Sequence, residues 1–163
     1  MQDFQSHDLV IEPFRRGDEV TIQEIFDALS PEARYHRFMQ AMPVLKPNLR
    51  RLLAAVDGDK HQAWVARIAH RPVGIVRTII DQTGELELAV SVVDAASRRG
   101  IGRRLTEVAL DAAGRAGVDD VIVMIHPQNV PSMAMFRSMG ASFRLEFGLM
   151  IGRVPTRSAA VAA

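Results

Sequence analysis

Ser97-Arg98-Arg99-Gly100-Ile101-Gly102-Arg103-Arg104 is the most informative segment of this sequence, because of the residues on either side of it. Residues 86–93, just before it, form a nearly continuous apolar run that predicts a β-strand. After it, apolar residues recur at the spacing of one helical face, namely Ile101, Leu105, Val108, Ala109, Ala112 and Ala116. A strand therefore passes through a glycine turn directly into an amphipathic helix.

The glycine turn at 97–104 has the features of an anion-binding site. The first N–H groups of a helix have no partner inside the helix and lie at the positive end of its dipole. Gly100 and Gly102 let a phosphate approach the backbone closely, because they carry no Cβ. Arginines at 98, 99, 103 and 104 add positive charge, although a merely solvated basic helix start would look the same. The natural ligand of such a turn is a pyrophosphate.

Two common phosphate-binding motifs fit this turn less well. A dinucleotide fingerprint would have glycine or alanine at the position of Leu105, although Asp119 and Asp120 fall near the spacing of its acidic ribose partner. A nucleoside-triphosphate loop would continue with Gly-Lys and then Ser or Thr, and this sequence does not. The dinucleotide interpretation is disfavoured but stays open.

Length and composition indicate an ordinary globular protein. The 163 residues predict one domain, which we place at 1–153, followed by a flexible tail at 154–163. The net charge of +1 gives no reason to expect nucleic acid or a membrane as a partner. The chain has no cysteine, and its histidines at 36, 61 and 70 lack metal-ligand spacing, so no metal is expected. Without a signal peptide or a long apolar segment, the expected location is the cytoplasm.

The pattern along the chain mixes helices and strands in an order that does not alternate regularly. Predicted strands lie at 9–14, 62–69, 73–81, 85–93, 118–125 and 142–151, and predicted helices begin after Asp18 and Ser30 and lie near 49–56, 101–116 and 131–139. The three strands at 62–93 form an antiparallel meander. This order predicts an α+β fold with a mixed sheet, not a doubly wound one.

The glycine turn resembles the pyrophosphate motif of the GNAT superfamily of acetyl-CoA-dependent N-acetyltransferases, and the resemblance covers roughly residues 9–151. The motif, Gln/Arg-x-x-Gly-x-Gly/Ala, is matched except at its first position, which is Ser97. A second family segment, Asn-x-x-(small or Met)-x-x-x-Tyr/Phe-x-x-x-Gly, is matched by 129–140, with Phe136 where many members have a tyrosine acid. The resemblance implies a mostly antiparallel central sheet with helices on both faces.

Residues 29–38 and 87–94 further resemble the GNAT domain of bacterial protein-lysine acetyltransferases, in which the strand glutamate matching Glu87 is the proposed general base. By strand alternation alone, Glu87 shares one face with Glu85, and a polar stripe on a half-exposed strand is usually just solvated. Glu85 is the nearest rival as a base. Tyr35 and Arg37 fit an acceptor site and an amphipathic helix equally well.

The resemblance implies acetyl-CoA as cosubstrate, a protein lysine as the amine acceptor, and direct attack by the amine with Glu87 as the catalytic residue. The coenzyme-binding residues expected are Val90, Val92, Arg98, Arg99, Gly100, Ile101, Gly102, Arg103, Arg104, Asn129 and Phe136. Asn129 fits a helix N-cap equally well, and Phe136 fits a packing role. Two alternatives stay open: a small-molecule amine acetyltransferase, and a non-catalytic module that holds an acyl-CoA. A homodimer is an open alternative for the assembly.

Overall fold

A computed structural model of the chain describes residues 8–156. Within that range the order of elements is β1 (Leu9–Pro13), α1 (Glu19–Asp27), α2 (Pro31–Phe38), α3 (Pro47–Ala54), β2 (His61–Ile68), β3 (Arg71–Ile80), β4 (Leu86–Val92), α4 (Ile101–Arg115), β5 (Asp120–Ile125), α5 (Val130–Ser138), β6 (Ser142–Glu146) and β7 (Leu149–Pro155). The α+β class expected from the sequence is confirmed. No helix in the described range is long and apolar enough to cross a bilayer.

The seven strands of the described range form one sheet in the order β1-β2-β3-β4-β5-β7-β6. Neighbouring strands are antiparallel except β4 and β5, which run parallel. The connection between these two strands is α4, which buries Leu105 and Ala109 completely against one face of the sheet. A Cβ built on Gly74 of β3 would lie 3.0 Å from Leu105 Cδ1, so the glycine allows this close approach.

The helices α1, α2 and α3 cover the opposite face of the sheet. The buried α1 residues Ile25 and Phe26 meet Ile75, which follows Gly74 on β3 and so points away from α4. The expected N-caps of α1 and α2 are confirmed, because Asp18 and Ser30 accept hydrogen bonds from N–H groups one helical turn ahead, at 3.0 and 3.1 Å. Helices therefore lie on both faces, as the resemblance implied.

The last segment differs from the prediction of a single strand at 142–151. It is a hairpin of β6 and β7 with a turn at Phe147 and Gly148, whose φ angles are 49° and 78°. Two positive φ angles are what a two-residue hairpin turn of type I′ requires, and Asn-Gly or Asp-Gly is its usual sequence signal. Phenylalanine at the first turn position hides the turn from a sequence-based prediction.

The prediction also placed the start of the C-terminal tail, at residue 154, too early in the sequence. Strand β7 continues through Pro155, and both Val154 and Thr156 are fully buried. The Thr156 hydroxyl donates a hydrogen bond to the Val118 carbonyl O at 2.8 Å, which ties the end of β7 to the start of β5. Residues 157–163 of the expected tail lie outside the described residues.

Gly152 of β7 makes a testable contact with the neighbouring strand. A Cβ at this position would lie 2.5 Å from Cε1 of Phe143, which is closer than carbon atoms can approach. We expect Gly152→Ala to lower the free energy of unfolding by about 1–3 kcal/mol because the ring must move. Chemical denaturation measures the loss. Adding Phe143→Leu should recover part of it, and a double variant no better than Gly152→Ala would contradict this explanation.

Candidate active site

The parallel strands β4 and β5 separate along their length. Pairing between β3 and β4 continues to the end of β4, where Val92 lies opposite Gly74. Between β4 and β5 the register contains one pair, Glu87 opposite Ile122. Beyond Glu87, the side of β4 that faces β5 has no strand partner within residues 8–156. Its backbone N–H and C=O groups are available to a ligand.

Val90 and Val92 direct their backbone groups into this gap. The N–H of Val93 donates to the Val73 carbonyl O at 2.9 Å, so the backbone of Val93 faces β3. Because backbone groups alternate between the two edges of a strand, those of Val92 and Val90 face β5. These are the two positions from which the sequence analysis expected backbone contacts.

A cleft of about 720 Å³ occupies the gap between β4 and β5. Its walls come from these strands, from α2, from the start of α4 and from α5. Of the expected site residues, the cleft brings together Glu87, Val90, Val92, Arg98, Gly102, Asn129 and Phe136. The other expected residues of the described range lie outside its lining, namely Arg99, Gly100, Ile101, Arg103 and Arg104.

The N-terminus of α4 presents unpaired backbone donors beside the cleft. Gly100 precedes the helix in the left-handed conformation with a φ of 74°, and Arg98 is also left-handed at 61°. The Arg104 N–H donates to the Gly100 carbonyl O at 3.0 Å, so the N–H groups at 101–103 precede the first intrahelical bond. They lie at the positive end of the helix dipole, which suits an anion. Ile101, only 2% exposed, can offer a ligand its backbone alone.

The four arginines around the turn have different surroundings. Arg98 is exposed and lines the cleft. Arg103 is engaged along the helix surface, where it donates to Ser138 Oγ at 2.7 Å and lies 3.3 Å from Glu107 Oε1. The other two are exposed outside the cleft lining. Arg98 is therefore the arginine best positioned to meet a ligand inside the cleft.

Helix α5 forms the wall beside the start of α4. Asn129 Oδ1 accepts a hydrogen bond from the Ser132 N–H at 3.4 Å, so its capping role is confirmed, and Asn129 also lines the cleft. Phe136 lines the cleft and, at 3% exposed, also packs in the core. Because it has no hydroxyl, it offers no proton to a leaving group. A Cβ on Gly102 would lie 3.7 Å from Met135 Sδ, an ordinary contact between the two helices.

Glu87 lines the cleft at the point where β4 and β5 separate. Burial raises the pKa of its carboxyl above the usual glutamate value. The Arg37 guanidinium opposes this by attracting the carboxylate, and Asp81 adds a smaller upward shift of the same pKa. A carboxylate with a raised pKa is a better proton acceptor than an exposed one.

Two arginines accompany Glu87 on this face of the sheet. Arg77 is 3% exposed, donates to the Leu53 carbonyl O at 2.8 Å and contacts His61 Nε2 at 2.9 Å. Burial, with a further contribution from the Arg37 cation, lowers the pKa of Arg77 to about 9. Burial also lowers the pKa of Arg37, while Glu87 raises it. One carboxylate and two guanidinium groups thus form a single charged cluster.

Glu85, the rival base, has a different environment. Its carboxylate pairs with the Arg153 guanidinium, which also pairs with Asp120 at 2.8 Å. Within residues 8–156, the lining of the cleft does not include Glu85. Glu87 is therefore the strand carboxylate that a ligand in the cleft can reach.

Helix α2 contributes Arg37, which the sequence analysis named as fitting an acceptor site, and His36, which it did not connect with a ligand. Arg37 lines the cleft, and so does His36, whose ring stacks on His126 at a centroid distance of 5.5 Å. Tyr35 contacts the His126 ring edge-on at 5.3 Å but is not part of the lining.

The sequence contained one signal of the charged cluster, because Arg77 interrupts the apolar stretch at 73–80. A charge in a buried strand needs a partner.

Comparison with known proteins identifies the family. Residues 22–141 match the model of the acetyltransferase (GNAT) family. The chain therefore belongs to the GNAT family, as the sequence resemblance implied. It is an acetyl-CoA-dependent N-acetyltransferase by class, and acetyl-CoA is its cosubstrate.

Three solved structures share this fold. The GNAT domain of S. lividans PAT aligns with a TM-score of 0.83 and 20% identity over 94% of this chain and 99% of that one. Spermidine N-acetyltransferase from Vibrio cholerae, in complex with CoA and spermine, aligns with a TM-score of 0.73 and 14% identity over 95% of this chain and 99% of that one. Ribosomal-protein-alanine N-acetyltransferase from Brucella melitensis aligns with a TM-score of 0.73 and 21% identity over 90% of this chain and 99% of that one. The names of the last two proteins include different acceptors, a polyamine and a ribosomal protein.

Proposed function

We propose that this protein transfers the acetyl group of acetyl-CoA to the side-chain amine of a protein lysine, with Glu87 as the general base. One observation carries the proposal: a carboxylate with a pKa raised by burial lines the cleft where β4 separates from β5. Direct attack by the amine requires a proton acceptor at that point. The resemblance of residues 29–38 and 87–94 to bacterial protein-lysine acetyltransferases supports the choice of acceptor.

The cleft has the features needed to hold the coenzyme. The unpaired N–H groups at 101–103 and the Arg98 guanidinium would bind its pyrophosphate. Gly102 would leave room for close approach, and the backbone of Val90 and Val92 would bind the pantetheine arm in the manner of an added strand. Phe136 and Asn129 would form the opposite wall. Bound acetyl-CoA supplies the thioester whose acetyl group is transferred.

Glu87 would remove the proton that prevents lysine from reacting. A lysine amine with a pKa of about 10.4 is neutral in only about one molecule in a thousand or fewer at neutral pH. After Glu87 takes that proton, the amine nitrogen bonds to the acetyl carbon and the carbon–sulfur bond breaks. The thiolate of coenzyme A leaves and takes up the second proton, which the newly bonded nitrogen gives up, and Glu87 returns the first proton to water. With a thiol pKa of about 8.5 it leaves readily, so a phenylalanine at 136 is compatible with turnover.

The backbone of β4 would stabilise the negative charge that develops on the acetyl oxygen. A fixed N–H donor in a site that excludes water contributes more to such stabilisation than the same donor in bulk water. The N–H groups of Val90 and Val92 point into the gap and have no strand partner there within the described range. We assign one of these two donors to the acetyl oxygen and the other to the pantetheine arm.

Lysine acetylation in cells tests the choice of acceptor. We expect proteins from cells that express this chain to contain acetylated lysines that are absent from cells expressing the Glu87→Gln variant, as measured by mass spectrometry. Purified enzyme should release free thiol from acetyl-CoA in the presence of the same proteins. Thiol release with polyamines or other small amines, but not with any protein, would favour a small-molecule acceptor instead.

The fall of kcat/KM for acetyl transfer at low pH should follow the protonation of Glu87. Because burial raises the pKa of this carboxyl, we expect kcat/KM for acetyl transfer to fall with decreasing pH already above the usual glutamate range. The sign follows from the role of a base, which is active only when ionised. Steady-state rates across a pH series measure the position of this limb. A limb at the pH of an exposed glutamate would contradict the role that we assign to burial.

A further inference from the structure

We propose that Arg37 selects acceptors that carry a carboxylate next to the accepting amine, so that the preferred lysines have an acidic close neighbour in sequence. This inference rests on the function proposed above and names the substrate class of the same cleft. It concerns the face of β4 on which Glu87 lies, not the edge that would hold the coenzyme.

The Arg37 guanidinium has unused hydrogen-bond donors that face the cleft. Its Cζ lies 4.9 Å from the centroid of the Phe38 ring, and no hydrogen bond or ion pair joins Arg37 to another residue of the described range. No polar side-chain atom in that range is both buried and unpaired, so the free N–H groups of Arg37 are not sealed in the core. Arg37 lines the cleft and also a smaller cavity next to it, between α1 and β3. A guanidinium offers five donors in a planar fork that matches a carboxylate.

The charged cluster of Arg37, Arg77 and Glu87 has one anion for two cations. Arg77 donates to the Leu53 carbonyl O and contacts His61 Nε2, and no carboxylate pairs with it within residues 8–156. Burial and the Arg77 cation both lower the pKa of His61.

Arg37 acts on the Glu87 carboxylate from one side and on the Arg77 guanidinium from the other, while Asp81 acts on Glu87 more weakly, so the three groups of the cluster carry one excess positive charge. When Glu87 accepts the amine proton, the excess becomes two. A carboxylate brought by the acceptor offsets that charge at the step where it develops, which favours the transition state.

The acidic residue Glu32 at the rim limits where the acceptor carboxylate can lie. Glu32 is exposed in the first turn of α2 and also lines the cleft. It precedes Arg37 by five residues, or about 7 Å along the helix axis. A basic group on the acceptor would be attracted by Glu32 and repelled by Arg37. The acidic neighbour is therefore expected within one or two residues of the target lysine, close to Arg37.

Matched peptides test this preference. Three peptides would share one sequence around a single lysine and differ only in the next residue, which is glutamate, glutamine or arginine. Acetyl transfer to each would be measured with the wild-type enzyme, with Arg37→Gln and Arg37→Lys, and with Arg144→Gln as a control. Arg144 is exposed on β6 and pairs with Glu146 outside the cleft. Nα-acetyl-lysine and its amide would test whether a main-chain carboxylate serves equally well.

We expect the wild type and Arg144→Gln to favour the glutamate peptide over the glutamine peptide by about tenfold or more in kcat/KM, the effect of one charge-assisted hydrogen bond. Arg37→Gln should reduce this ratio to near one, and Arg37→Lys should keep part of it. A loss of packing alone would lower all rates and leave the ratio intact. If the variants fail to fold, increasing salt should still reduce the wild-type ratio.

Two results would overturn the inference alone: equal wild-type rates on the glutamate and glutamine peptides, or an unchanged ratio in a folded Arg37→Gln variant. A preference for Nα-acetyl-lysine over its amide, without any preference among the peptides, would show that Arg37 binds the carboxylate of a small acceptor. It would overturn the inference that the target lysines have an acidic neighbour. Failure to acetylate any amine would instead contradict the proposed function itself, and the inference would fall with it.

Discussion

Replacing Glu87 by glutamine lowers the turnover number for acetyl transfer by a factor of about 10²–10⁴, the usual contribution of a positioned general base. The amide has nearly the size of the carboxylate but cannot accept the proton of the incoming ammonium group. The affinity for acetyl-CoA stays nearly unchanged, because Glu87 lies on the wall of the cleft and not at the start of α4. Thiol release measures turnover, and titration calorimetry measures affinity.

Glu85→Gln is the matched control for this substitution. Glu85 lies two positions before Glu87 but pairs with Arg153 outside the cleft. An exposed ion pair of this kind contributes about 0–1 kcal/mol to stability, so the variant should fold and keep its turnover. The base assignment fails if both variants lose turnover equally. It also fails if Glu87→Gln loses turnover and coenzyme affinity together.

Replacing Gly102 by valine weakens acetyl-CoA binding by a factor of about 10² or more. The side chain would enter the space beside the unpaired N–H groups of α4 and prevent a pyrophosphate from reaching them. Two charge-assisted hydrogen bonds of about 1.5–3 kcal/mol each account for a loss of this size. Titration calorimetry with acetyl-CoA gives the dissociation constant directly.

Gly102→Ala provides the graded control. A Cβ at this position would lie 3.6 Å from Val92 Cγ2, an ordinary van der Waals distance, so alanine fits the free protein without strain. We expect the alanine variant to keep the melting temperature of the wild type and to weaken acetyl-CoA binding less than the valine variant does. Normal binding by a folded Gly102→Val variant would show that the α4 start is not the pyrophosphate site.

The sequence was sufficient to predict the parts of the fold that depend on local pattern. The strand before residue 97, the glycine turn and the helix from Ile101 were predictable because apolar periodicity and turn glycines act over a few residues. The hairpin of β6 and β7 was missed for an equally local reason. Its turn at Phe147 has a positive φ without the residue types that usually announce one.

The candidate site was predictable along β4 and α4 but not across the sheet. Val90, Gly102 and Glu87 line one cleft because they lie on consecutive elements of one strand–turn–helix unit. The cluster of Arg37, Arg77 and Glu87 joins α2, β3 and β4, and strand register brings these residues together. Hydrophobic patterning gives no register between separate elements, so the partners of a buried charge cannot be predicted from it.

Amide hydrogen exchange at the start of α4 shows whether the pyrophosphate of acetyl-CoA binds there. In the free protein the N–H groups of Ile101, Gly102 and Arg103 should exchange rapidly, because they have no partner within the helix. Saturating acetyl-CoA should slow their exchange, and coenzyme A without the acetyl group should do the same. If acetyl-CoA binds and slows exchange elsewhere while these three amides stay unchanged, the pyrophosphate does not bind at this helix start.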